Sequence, residues 1–148
     1  METVVLLHGE LNDATAWKET VRLLESKFYV IAPNRPIEDT LEAQQNQLLE
    51  SLTTEKVHLV GHSGGGVLAL TFAGKYPKKI LSLTLVDSLA RLDLALETKI
   101  QSVLAALQVG GSRLAYRVAI PWLFGSDFLT NQGARLESAL ARAERIPP

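Results

Sequence analysis

The sequence predicts an α/β fold: a parallel sheet with flanking helices, followed by a helical segment. Two observations lead to this prediction. Short apolar runs of strand length alternate with amphipathic helical stretches as far as about residue 88. A glycine-rich turn, Gly61 to Gly66, then joins one of those runs directly to a helix. Such alternation implies right-handed crossovers, so we expect one α/β core over residues 1–88 and a separate helical segment over residues 89–148.

Four runs have the composition of strands buried in a sheet. The first, Val4–Leu7, is continuously apolar and is closed by His8 and Gly9. The second covers residues 28–32 and is ended by a proline. The third and fourth cover residues 57–60 and 80–86.

Three helices are expected between these strands. The first begins after Asp13, a good N-cap residue, and runs to about Ser26. The second follows Asp39 and Glu42, which have the spacing of a capping box. The third covers residues 67–76 and stops at a proline.

From about Leu89 onward the sequence is rich in alanine and leucine and has no further strand pattern. Turn signals stand at Gly110-Gly111, at Pro121 and at Gly125-Ser126, and the last amphipathic stretch covers residues 132–145. We therefore expect only helices in this segment.

Composition excludes several classes of function. The 148 residues carry 15 basic and 16 acidic side chains, well mixed, so we expect neither nucleic acid nor a membrane as a partner. There is no cysteine, no metal-binding spacing such as H-E-x-x-H and no phosphate-binding lysine after the glycines, so no metal or cofactor is expected. No run approaches the roughly 18 apolar residues of a membrane span, and no signal peptide is recognisable. A cytoplasmic protein is the expectation.

The strongest chemical signal is Gly61-His62-Ser63-Gly64-Gly65, which has the form G-x-S-x-G at a junction of strand and helix. A turn this tight requires glycine-sized neighbours and exposes the serine hydroxyl at the carboxyl end of the strand. The first His-Gly pair closes a strand as well, so both motifs are expected on one edge of the sheet. Ser63 is thus a candidate nucleophile, and the alternative is an ordinary small residue in a turn.

The chain resembles the α/β-hydrolase superfamily, specifically its compact esterase, lactonase and dehalogenase-like members. The resemblance rests on Leu6-Leu7-His8-Gly9, the residues from Val57 to Gly66, Tyr76-Pro77 and the residues from Leu83 to Ser88. It implies that Ser63 is the nucleophile, that the N–H groups of Gly64 and Glu10 form the oxyanion hole, and that residues 89–148 are a helical cap. The implied substrate is a small carboxylic ester or lactone, cleaved through an acyl-enzyme.

Five further residues receive roles from this resemblance or from their position. Asp87 ends the fourth strand and is the best available catalytic acid, with the alternative that it caps the following helix. His8 is expected to order the oxyanion loop and, with His62, to border the substrate. Trp122 and Phe124 belong, with Leu123 and Phe128, to a bulky apolar group that forms the core of the cap, the wall of a substrate pocket, or both.

The resemblance is incomplete at the general base. The only histidines are His8, His58 and His62, and none follows Ser63, whereas the superfamily places its histidine after the serine. Glu10 also sets a carboxylate beside the expected oxyanion hole. Two hypotheses follow: a serine hydrolase whose base is unusual or comes from another subunit, or a catalytically incomplete member that serves in binding or assembly. The unpaired edge of the fourth strand predicts a homo-oligomer in either case.

Overall fold

The structure is a computed structural model that describes residues 1–10, 12–34 and 40–144. The chain divides into two units, residues 1–90 and residues 91–148, and each is described by itself.

In its described residues, the first unit is built on a parallel sheet of four strands. These are β1 (Thr3–Leu7), β2 (Tyr29–Ile31), β3 (Val57–His62) and β4 (Ile80–Val86). Their order is β2-β1-β3-β4, and every neighbouring pair is parallel. The predicted fold class is therefore confirmed, and among the described residues β4 pairs with β3 alone.

Three α-helices connect the strands of this unit, and their starts differ from the prediction. Asp13 caps a 3-10 turn, Ala14–Trp17, which leads into the short helix α1 (Lys18–Leu24). Helix α2 (Leu41–Ser51) has Thr40 as its N-cap, whose hydroxyl accepts from the Ala43 N–H at 3.2 Å. Asp39, the predicted cap, lies outside the described residues.

The boundary between β3 and helix α3 (Gly64–Lys75) also differs from the prediction. The strand runs two residues further than expected, to His62, and the helix begins three residues earlier than expected, at Gly64. Three consecutive glycines are poor helix formers, so propensity argues for a later start. Close backbone packing around the turn overrides propensity here.

The core of the first unit lies between the sheet and helices α2 and α3. Every residue of β1 is buried, as expected for a central strand of a parallel sheet. On one face, the β1 and β3 side chains pack against apolar residues of α2 and α3; the buried members are Val5, Leu7, Leu48, Val57, Leu59, Leu68, Ala69 and Phe72. Burial of this group holds β3, and hence the turn that follows it, in place.

The second unit is helical throughout its described part. Its helices are α4 (Leu94–Leu123), α5 (Ser126–Asn131) and α6 (Gly133–Ala143). Helix α4 is broken at Gly110 and Gly111, where Gly111 takes φ 68°, as the turn signal there predicted. Within the described residues, no helix combines the length and apolar character needed to cross a membrane.

An arginine joins the two long helices of the second unit. Arg113 of α4 donates to Glu144 at 2.9 Å and to Glu137 at 3.3 Å. All three side chains are substantially exposed, so these ion pairs add little stability, and packing of the helices carries more.

Candidate active site

The carboxyl ends of three neighbouring strands form one edge of the sheet, and most of the candidate site residues lie there. Strand β1 leads into His8, Gly9 and Glu10, β3 leads into Ser63, and β4 leads into Asp87. The register aligns Leu7 with Gly61 and His62 with Val86, so the three strands end at nearly the same level. This is the edge at which open α/β sheets bind ligands.

Ser63 stands in a strained backbone conformation between β3 and α3. Its φ is 51° and its ψ is −124°, in a region that side-chain-bearing residues rarely occupy. The Ser63 N–H donates to the carbonyl of Val86 at 3.0 Å, which ties the turn to β4. Strain of this kind costs about 1–3 kcal/mol and persists only where the surroundings enforce it.

Two glycines allow the backbone to approach itself closely around this turn. A Cβ at Gly61 would overlap the backbone of Gly65 and Gly66, and a Cβ at Gly65 would overlap the carbonyls of Leu7 and His8. Helix α3 therefore begins in direct contact with the ends of β1 and β3, which places its N-terminus at the sheet edge.

Ser88 is a supporting residue to which the sequence analysis gave no role. Its hydroxyl donates to the Ser63 carbonyl at 2.8 Å, and it lies against Gly66, where a Cβ would overlap it. The only sequence signal was a serine directly after Asp87, at the end of a strand that leads to the same edge.

Glu10 lies against the first residue of α3. A Cβ added to Gly64 would overlap the whole carboxyl group of Glu10, so the carboxylate rests over the Gly64 backbone rather than pointing away from it. The carboxylate expected from the sequence beside this position is therefore found there.

The three histidines have different surroundings, and none of them hydrogen-bonds the Ser63 hydroxyl in the described part of the chain. His8 is buried and its Nδ1 donates to the Gly9 carbonyl at 2.9 Å. The ring of His62 meets Trp17 edge-on at 6.5 Å. His58 lies near the start of β3, about 16 Å along the strand from Ser63 at 3.3 Å per residue.

Asp87 shares the edge with Ser63 and is exposed. It also has a positive φ, 44°, a conformation that aspartate tolerates better than most residues. The alternative role as a helix cap is wrong, because the next helix is capped by Asp93, which accepts from the Leu96 N–H at 2.8 Å.

Trp122 and Phe124 lie in the second unit. Trp122 is 37% exposed and donates from Nε1 to the Val118 carbonyl at 3.1 Å, and Phe124 stacks on Phe128 with centroids 4.7 Å apart. Leu123, which lies between them, is 51% exposed. Among the described residues of this unit, the buried apolar side chains are those of Ala106, Ala115, Tyr116, Ala119 and Leu140.

The sequence also matches a family model, described as the alpha/beta hydrolase fold, over residues 2–126. The chain belongs to this family. Its most similar relatives in sequence include the Caulobacter sp. (strain K31) protein RutD, a carbamate hydrolase by name, with 30% identity over 93% of this chain and 56% of that protein.

Solved structures of α/β hydrolases agree with the fold. A thermophilic esterase from Thermogutta terrifontis matches the whole chain with a TM-score of 0.80 and 29% identity. An enol-lactonase from Burkholderia xenovorans LB400 matches 97% of the chain with a TM-score of 0.78, but at 20% identity it supports the fold alone. The chain spans 60% and 59% of these two proteins, and it likewise spans just over half of RutD.

Proposed function

We propose that the protein is a serine hydrolase that cleaves small carboxylic esters or lactones, with Ser63 as nucleophile. The N–H groups of Gly64 and Glu10 form the oxyanion hole, and Asp87 is the catalytic acid. An acyl group passes from the substrate to the Ser63 hydroxyl and then to water.

The backbone of Ser63 is the observation that carries this proposal. A structural serine gains nothing from a φ of 51°, whereas a nucleophile gains exposure at the end of a buried strand. The same conformation sets Ser63 at the first turn of α3, where backbone N–H groups and the helix dipole favour developing negative charge. The esterase from Thermogutta terrifontis, 29% identical to this chain, supports an ester as the class of substrate.

None of the described histidines is hydrogen-bonded to Ser63 as a general base would be. His8 shares the edge with Ser63, but its Nδ1 is committed to the Gly9 carbonyl. We therefore propose that the base is a histidine from another subunit or a longer chain, with a rearranged His8 as the second possibility. His62 then contacts the substrate, and Glu10 sets its carboxylate beside the oxyanion.

A fluorophosphonate probe followed by intact-mass measurement and peptide mapping tests this proposal. An adduct is expected on the peptide that contains Ser63, and this adduct is lost in Ser63→Ala. Labelling of Ser63 will be slow, because a general base ordinarily raises the rate of such a reaction roughly 10²–10⁴-fold and none contacts Ser63 among the described residues. The acceleration that remains comes from stabilisation of the oxyanion. Ser26→Ala, in the exposed turn after α1, is the matched control and should label normally.

An unlabelled Ser63 would overturn the proposal. It would leave the second candidate function, a catalytically incomplete family member that acts in binding or assembly. That candidate is favoured because, among the residues that the structure describes, no histidine hydrogen-bonds Ser63. In both cases we propose a homo-oligomer in the cytoplasm whose ligand is a small molecule rather than a nucleic acid.

A further inference from the structure

A second serine of the first unit contacts a histidine, at the opposite end of the sheet from Ser63. Ser82 of β4 places its Oγ 2.8 Å from Nδ1 of His58 in the neighbouring strand β3. The other ring nitrogen, Nε2, lies 3.1 Å from Oε2 of Glu2, which directly precedes β1. Three adjacent strands thus bring a hydroxyl, an imidazole and a carboxylate into a chain of hydrogen bonds.

The carboxylate determines which nitrogen of His58 carries the proton. An ionised carboxylate only accepts hydrogen bonds, so Nε2 must donate to Glu2. In the neutral ring Nδ1 then bears a lone pair, and the Ser82 hydroxyl donates to it. This is the relation of nucleophile, base and orienting acid that activates a serine.

The surroundings hold the imidazole and leave the serine accessible. The His58 side chain is only 25% exposed, and the ring of Phe28 packs edge-on against it at 5.7 Å. Ser82 itself is exposed. A fixed base beside an open hydroxyl is what an incoming electrophile requires.

We propose that Ser82, His58 and Glu2 form a second nucleophilic site, which accepts acyl or phosphonyl groups from small electrophilic esters. Ser82 Oγ attacks the electrophilic carbon or phosphorus, and the bond to the leaving group breaks. The hydroxyl proton moves to His58 Nδ1 and from there to the departing group or to water. The site does not depend on the function proposed for Ser63.

Trypsin separates the two serines, so one labelling experiment reports on both. Cleavage after Lys56 and Lys75 gives a peptide of residues 57–75 with Ser63, and cleavage after Lys79 and Arg91 gives a peptide of residues 80–91 with Ser82. After treatment of the full chain with a fluorophosphonate, from which fluoride leaves, we expect an adduct on the second peptide. Fragment ions should place it on Ser82 rather than on Ser88.

Substitutions distinguish a serine that is activated by His58 from one that is merely exposed. Ser82→Ala should remove the adduct from residues 80–91, His58→Asn should slow its formation about a hundredfold, and Glu2→Gln should slow it about tenfold. Glu2 is largely exposed, so its variant keeps the fold and serves where His58→Asn lowers the melting temperature. The proposal is overturned if Ser82 labels no faster than the exposed Ser26, or if neither His58→Asn nor Glu2→Gln changes its rate.

Discussion

At the scale of single residues, the candidate site depends on glycines at which a side chain would overlap the neighbouring backbone. Gly61 and Gly65 let α3 start against the ends of β1 and β3, and Ser63 keeps its positive φ because that contact leaves the turn no alternative. The strained serine and the close packing are therefore one feature of the structure.

Two glycines of the same helix provide a matched test of this packing. Gly65→Ala should lower the free energy of unfolding by about 1–3 kcal/mol, because the new Cβ meets backbone carbonyls that cannot move independently. Gly74→Ala, where a Cβ would meet nothing within 4 Å, should instead raise stability by up to about 1 kcal/mol. Urea unfolding measures both, and equal effects of the two substitutions would contradict the packing argument.

At the scale of elements, strand β4 supports the turn at Ser63 and also exposes several of its own apolar side chains. It accepts the Ser63 N–H through Val86, yet three of its apolar side chains are exposed: Leu81 at 42%, Leu85 at 39% and Val86 at 38%. The strand contains no charged residue or proline, the usual protections of a sheet edge.

We expect a second copy of the chain to cover this edge. In an antiparallel pair of β4 strands, the lysines that precede the strand in one copy would approach Asp87 at its end in the other, so the charges are complementary. Light scattering at micromolar concentration should detect a dimer or larger oligomer. Leu85→Lys should shift it to monomer, whereas Leu23→Lys, at an exposed site on α1, should not. A wild-type monomer would contradict this expectation.

At the scale of the whole molecule, the sequence predicted the fold class, the number of strands and the edge on which Ser63 lies. These follow from local patterns, namely apolar runs and a turn motif whose geometry is nearly invariant. The start of α3 was missed because it depends on contacts between distant segments. The sequence also left open whether Trp122 is buried, because apolar character alone does not fix burial. The hydrogen bonds that link Ser82, His58 and Glu2 could not be predicted from the sequence, because they depend on the register of three strands.

The measurement that tests the central claim most directly is the burst of p-nitrophenolate released on mixing the chain with a p-nitrophenyl ester. In a Ser82→Ala chain, where the second serine cannot contribute, acylation of Ser63 should release about one equivalent per chain before slow turnover. Adding Ser63→Ala to that chain should abolish the burst. A burst that persists undiminished in Ser63→Ala, or that is absent from the Ser82→Ala chain, would contradict the assignment of Ser63 as the hydrolytic nucleophile.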